Sequence, residues 1–263
     1  MQALSSLIPL HQIAICPEQL LLIQRTELLP LLQQPLLLNQ YAQQVVQAQA
    51  ALLNHIDPSL TQQLSQVITE IIHQLSQSSK KLKNKRFNRL QQWLGIDLEF
   101  DSAKVHYIQQ LDQSIDQANQ LSRRLALEIA QSQTRYEQLL ALRVDMAQHI
   151  AAAQRFLEDC PVFIRDSQTL EHFQQRMVQK IHSLNTLQSS HDLAMVQMQL
   201  NQQLAFGLID RFKEAQQVLI PAWQYHLKLN QEKQRANSAI DITELNRNRD
   251  NLIQSLKQAL ENH

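Results

Sequence analysis

The densest charge in the chain lies between Ser78 and Arg89, where Lys80, Lys81, Lys83, Lys85, Arg86 and Arg89 occur with no acid among them. Clustered cations hold a phosphate or an acidic lipid headgroup without fine geometry, so this run is a candidate anion or lipid contact. The plainer reading is a solvated linker or helix end. Arg123, Arg124, Arg135, Arg143, Arg155, Arg165, Arg176 and Arg211 carry guanidinium forks that suit oxyanions, but nothing in the sequence gathers them, and each reads as a singly solvated arginine. The ten histidines are scattered, and no pair has the i, i+4 spacing of a helical metal site. A chance approach of His172 to His182, or of His182 to His191, is the most the order of segments offers. No Glu-x-x-His pair recurs on two helices, which disfavours a di-iron bundle. Two isolated glycines cannot build a phosphate loop, and no Ser or Cys stands in a nucleophile-elbow context. The expectation is a non-enzymatic chain with no catalytic residue, no cofactor and no metal. Cys16 and Cys160 lie far apart in sequence and read as free thiols in a reducing compartment.

Composition says what must position these residues. Only two Gly and seven Pro in 263 residues leave little material for turns, which argues against a hairpin-rich sheet. Gln, Leu and Ala dominate, and all are good helix formers. An apolar fraction of 44% can bury a core, while aromatics at 5% fit thin, Leu-rich helix seams. Twenty-four basic and 24 acidic residues cancel, so no global field draws the chain to nucleic acid. No apolar run is long enough to span a bilayer, and the N-terminus lacks the pattern of a secretory signal. The expected address is the cytoplasm, with peripheral attachment to the inner membrane as an addition.

Taken in order, residues 1–40 are Leu-rich and punctuated by Pro9, Pro17, Pro30 and Pro35. Glu18–Leu29 reads as a short helix with Pro17 in its first turn, and LLPLLQQPLLL has too many prolines for one continuous helix. Tyr41–His55 reads as a helix with Val45, Ala48 and Leu52 on one side. Asp57 and Pro58 make a stop and restart, cap then first helical position. The following helix carries Leu60, Leu64, Val67, Ile68, Ile71 and Leu75, and the two are expected to form an antiparallel hairpin. After the basic run, Phe87, Leu90, Trp93 and Leu94 suggest a short amphipathic helix ending at Gly95.

From Ser102 to Glu158 the apolar stripe is unbroken by Gly or Pro, through Leu111, Ile115, Ala118, Leu125, Ile129, Tyr136, Leu139, Leu142, Met146, Ile150, Ala153 and Leu157. A helix of that span is on the order of 80 Å long. Cys160 and Pro161 are expected to end it. Asp166 or Ser167 caps the next helix, with Ser189 and Ser190 as a break or an exposed turn. His191–Leu229 then reads as a central strut. Met195, Met198, Ala205, Ile209, Phe212, Leu219 and Trp223 fall on one stripe, with Gln202 and Gln216 at the two missing positions. Leu200, Leu204, Leu208 and Ala215 form a second stripe, so the strut must lie between other helices. Gly207 implies a close helix crossing or a local bend, and Pro221 implies a kink before Trp223. Asp241 or Thr243 caps a closing helix through Ile242, Leu245, Leu252, Ile253, Leu256 and Leu260. The fold class is all-α, an elongated bundle of long antiparallel helices with coiled-coil-like packing. The expected divisions are 1–79, an N-terminal segment and hairpin; 80–101, a basic and aromatic junction; and 102–263, the long-helix bundle.

The order of segments resembles the bacterial toxic-anion (tellurite) resistance family, the TelA-like proteins. Three stretches carry the likeness: KNKRFNRLQQWLG leading into the long helix from His106 to Asp159; IPAW, Ile220–Trp223, late in a Gln- and Leu-rich helix; and DITELNRNRDNLIQSLKQAL at the end. Pro221 and Trp223 match the family's Pro-x-Trp, and are expected to serve structure. The resemblance implies a cytoplasmic, non-enzymatic helical protein tied to tellurite or other stress resistance. It supplies no catalytic residue. Partners would be other proteins or further copies, met through long helices. The residues taken without the resemblance say only an elongated helical protein, and the alternative function is a general coiled-coil scaffold or adaptor with no link to resistance.

Overall fold

The computed structural model describes residues 7–53, 57–81, 96–163, 167–221, 225 and 242–261. Among them there is no strand, and the all-α expectation holds. The principal helices are α1 (Pro17–Ile23), α2 (Leu29–Leu31), α3 (Gln43–Leu52), α4 (Pro58–Lys81), α5 (Ile96–Phe163), α6 (Ser167–Glu214) and α7 (Ile242–Glu261). Two compact units divide the chain: Met1–Ile56 with Gln131–Asn201, and Asp57–Ala130 with Gln202–His263. Helices α5 and α6 therefore contribute residues to both.

Several helix ends are set by local chemistry. Pro17 opens α1, where its missing N–H costs nothing. Asp57 caps α4 as expected, its carboxylate accepting the Ser59 backbone N–H at 2.9 Å and the Ser59 hydroxyl at 2.8 Å. α3 starts two residues later than the stripe implied, because Ala42 takes a left-handed φ of 57°. An L-residue there is strained by roughly 1–2 kcal/mol, and the turn it makes delivers Tyr41 into the interior.

Prolines end fewer helices than their number implies. α1 passes through a π turn, Gln24–Leu28, into α2, which contains Pro30. α6 does the same, through a π turn at Ala215–Leu219 followed by helical Ile220 and Pro221. In both places the π turn ends two residues before the proline. A wider turn relieves the clash of the ring with the carbonyl four residues back, so the expected kink at Pro221 takes the form of a bulge. Pro161 likewise sits inside the last turn of α5, which runs on to Phe163. Ser189 and Ser190 do not break α6; the Ser189 hydroxyl donates to the Asn185 carbonyl at 2.9 Å within it. Thr243 lies inside α7 and is not its cap.

In the first unit, α1, α2 and α3 pack on the later part of α5 and the earlier part of α6. Leu20, Ile23, Leu28, Leu31, Leu38, Tyr41 and Val45 bury against Met146, Ile150, Ala153, Phe156, Phe173, Met177, Ile181 and Leu184. Phe156 stacks on Phe163 and meets Phe173 edge-on. In the second unit α7 packs on α4 and on the π turn of α6. Leu64, Ile68, Ile71 and Leu75 of α4, Leu111 and Leu125 of α5, Phe212 of α6, and Leu252 and Leu256 of α7 are fully buried or nearly so. Of the expected strut stripe, Met195, Met198, Gln202, Ala205, Ile209 and Phe212 are buried. The second stripe is correct at Leu208 and Ala215 but not at Leu200, which is 46% exposed. Gly207 has nothing within 4 Å of where a Cβ would stand, so no close crossing explains it.

Candidate functional site

The residues brought together with most chemistry lie in the first unit, where a chain of buried polar side chains joins α3, α5 and α6. Its anchor is Asp192 on α6. Arg143 on α5 donates to it twice, Nε to Oδ1 at 2.8 Å and a terminal nitrogen to Oδ2 at 2.9 Å. Gln188, one turn earlier on α6, donates its amide to Oδ1 at 2.7 Å. The carboxylate can only accept, so it fixes the Gln188 amide with its oxygen turned away. That oxygen accepts from the Gln49 amide of α3 at 2.9 Å. The Gln49 oxygen is then left to accept from His191 Nδ1 at 2.8 Å, which assigns the proton to Nδ1. One carboxylate thus sets the polarity of every bond along the chain.

Burial gives this arrangement its weight. Gln49 and Gln188 are each 1% exposed, Arg143 4% and His191 8%. A buried donor or acceptor that loses its partner costs about 1–3 kcal/mol, so a slip of α3 by one residue would strand several groups at once. Burial pushes His191 below its ordinary value of 6.5, while the neighbouring Asp192 pulls it back up.

A second polar seam holds the π turn after α1 and the turn before α3. The Tyr41 hydroxyl donates to the His149 carbonyl at 2.6 Å. The His149 ring meets the Asp145 carbonyl through Nδ1 at 2.9 Å and the Glu27 carboxylate through Nε2 at 3.3 Å. Burial, with the Glu27 and Asp145 charges nearby, drives the Tyr41 phenol far above its usual range, so it remains an O–H donor. Lys180 donates to the Asn39 carbonyl at 2.7 Å, and burial lowers its pKa. Cys160, buried in the same core, has its thiol pushed up to about 11 by burial and by Asp159, which keeps it protonated and unreactive. Cys16 is exposed, and neither cysteine is in a disulfide.

Chemically, these contacts make joins between helices. The Asp192 carboxylate already accepts three hydrogen bonds, and Arg143 already faces it. Among the described residues no group of three His, Cys, Asp or Glu side chains is placed to hold a metal ion. In the second unit a polar cleft of about 370 Å³ is lined by Glu70, His73, Gln74, Gln110, Ser114 and neighbouring glutamines, with no Lys or Arg on its wall.

The sequence-derived candidates fare differently. Lys80 and Lys81 close α4, and their side chains, with all of Lys83, Lys85, Arg86 and Arg89, lie outside the described residues. Trp223, Trp93, Asp166, Arg165 and Asp241 also lie outside them, and Pro221 is exposed in the helix beyond the π turn. Arg143 is not a solvated arginine, because its charge is buried against Asp192. Arg211 donates to the Gln258 carbonyl at 3.0 Å. Arg123, Arg124 and Arg155 are exposed, as are His172 and His182, whereas His191 is buried. Sequence reasoning missed Gln49, Gln188, Asp192 and His149. In a chain so rich in Gln, nothing distinguishes a buried amide from a solvated one, although Gln49 lies one residue from the apolar side of α3.

No helix among the described residues is long and apolar enough to cross a membrane. No family model matches the chain. Protein KlaA of Escherichia coli is 24% identical to it over 201 residues, spanning 75% of this chain and 78% of that protein. No solved structure matches.

Proposed function

We propose that this chain is a TelA-like resistance protein that acts without chemistry of its own, by holding other proteins or envelope components through its helices. The observation that carries this reading is the 201-residue similarity to KlaA, which supports a TelA-like relationship over far more than one helix. It agrees with the segment order read from the sequence, the basic junction, the IPAW stretch and the closing helix. In this reading the protein works at the cytoplasmic side of the inner membrane. The run from Lys80 to Arg89 supplies peripheral contact with anionic headgroups, and neutral overall charge keeps nucleic acid out of its partners.

The test is genetic. Deletion of the gene lowers survival on tellurite or under envelope stress, and the wild-type gene restores it. Unchanged survival under all these conditions overturns the reading. A second reading, a scaffold with no part in resistance, has one observation in its favour. Leu193, Val196 and Leu200 form an exposed apolar row on α6, at 60%, 41% and 46% exposure, and such rows suit helix-to-helix contact. Crosslinking in cells separates the two readings by whether envelope or resistance proteins are recovered.

A further inference from the structure

Within the first unit α6 buries one side and leaves the other in solvent. On the open side Thr186, Ser189, Leu193, Val196 and Leu200 follow one another at three- and four-residue steps, the spacing of a coiled-coil seam. The inward seam, through Met195 and Met198, is already filled by Tyr136 and Leu139 of α5. The outer seam carries no charge. Between residues 183 and 201 the ionisable side chains are His191, which is buried, and Asp192, which is paired with Arg143. Its hydroxyls are already satisfied. Thr186 donates to the His182 carbonyl at 3.0 Å and Ser189 to the Asn185 carbonyl at 2.9 Å, so covering them strands no donor. The apolar surface also widens onto α5. The two helices run antiparallel, with Phe156 against Phe173 and Arg143 against Asp192. Leu140 and Val196 each follow a residue of the filled seam, Leu139 and Met195, by one helical step, which in antiparallel helices turns both to the same side. Leu140 is exposed there with Val144 one turn on, while the exposed Glu137 of α5 holds the Gln133 amide at 3.1 Å.

A narrow apolar row with no Lys or Arg beside it is poorly suited to a lipid surface, where an interfacial helix sets a basic face against the headgroups. A charged partner would find no opposite charge to meet. A second copy of this chain meets neither obstacle. Two-fold pairing sets a face against itself, so any charge on it meets its own sign, and a charge-free seam escapes that repulsion. The chain as a whole carries 24 basic and 24 acidic residues, so two copies do not repel at a distance either. We propose that two copies pair through the outer seam of α6, antiparallel about a two-fold axis near Val196, with Leu193 of each against Leu200 of the other. Such a dimer forms whether or not the protein serves resistance, so a negative survival test leaves it standing.

Sedimentation equilibrium of the full chain tests the pairing. The wild type is a dimer with a Kd on the order of 10 µM. Leu193→Lys with Leu200→Lys gathers four like charges and raises Kd by about 100-fold or more. Leu193→Lys with Leu200→Glu sets each Lys against a Glu of the other copy, and pairs at least about tenfold more tightly than the Lys/Lys chain. Leu127→Lys, at the same 60% exposure as Leu193 but outside the seam, leaves Kd unchanged. Should the double variants fail to fold, Val196→Cys in a Cys16→Ser chain serves: oxidation joins two copies at position 196, whereas Ser189→Cys, far from the axis, stays single. A wild type that is monomeric up to about 200 µM overturns the proposal. So does a dimer that persists in the Lys/Lys chain, a Lys/Glu chain no tighter than Lys/Lys, or a Leu127→Lys chain that dissociates as readily.

Discussion

The two compact units draw on the same Gln-, Leu- and Ala-rich chain but fill their interiors differently. In the first unit, Gln24, Gln49, Ser132, Arg143, His149, Gln188 and His191 are buried among the apolar residues. In the second, the buried polar side chains among the described residues are Ser122 and Gln202, beside Leu64, Ile68, Ile71, Leu75, Leu111, Phe212, Leu252 and Leu256. Apolar packing supplies strength but tolerates sliding along a seam of similar side chains. Buried polar pairs add little net stability, yet a shifted register leaves them unpaired, which is costly. The first unit must seat short helices broken by prolines and by the strained Ala42. It needs that positional information more than the second, where long helices pack along their length.

Mutations can break or sharpen this contrast. The largest effect is expected at Phe212, which is fully buried in the second unit: Phe212→Ala loses about 3–5 kcal/mol in urea unfolding. Gln49→Leu in the first unit strands the Gln188 oxygen and the His191 N–H, and loses about 2–4 kcal/mol although it adds apolar surface. A Gln49→Leu protein as stable as the wild type would erase the distinction. Gly207→Ala in α6 gains about 1 kcal/mol, because the added methyl meets no atom within 4 Å and helix propensity alone decides.

The smallest effect is on pH dependence. The folded-state pKa of His191 is depressed below 6.5, so the native state binds the proton less readily than the unfolded one. Its contribution to stability is complete above pH 6.5 and is lost as pH falls below that value. Unfolding of His191→Gln followed against pH should have a shallower slope in that window.

Much of the helical plan was legible. Period-3.6 stripes placed the inward faces of α4 and α5 and most of α6, because burial of one apolar face is what forms such helices. The Asp57–Pro58 restart was legible because a cap is a local event. The prolines misled, since a π turn two residues earlier absorbs Pro30 and Pro221, and widening a turn leaves no mark in composition. Ala42 was equally silent, since an alanine carries no local signal for a left-handed φ. The polar chain could not be read, because it depends on Gln49 meeting Gln188 and His191 across more than 130 residues. The functional reading came from segment order and similarity, with no catalytic signature contributing to it.

The contrast between the units rests on Arg143 and Asp192, which fix the polarity of the bonds that reach Gln49 of α3. A double-mutant cycle with Arg143→Leu and Asp192→Leu, measured by urea unfolding, tests it most directly. Each single change should cost about 3 kcal/mol by leaving one charge unpaired, and the double variant should recover about 2 kcal/mol or more of the summed loss. Losses that add to within about 0.5 kcal/mol would mean the two side chains do not act together, and would contradict a polar lock in the first unit.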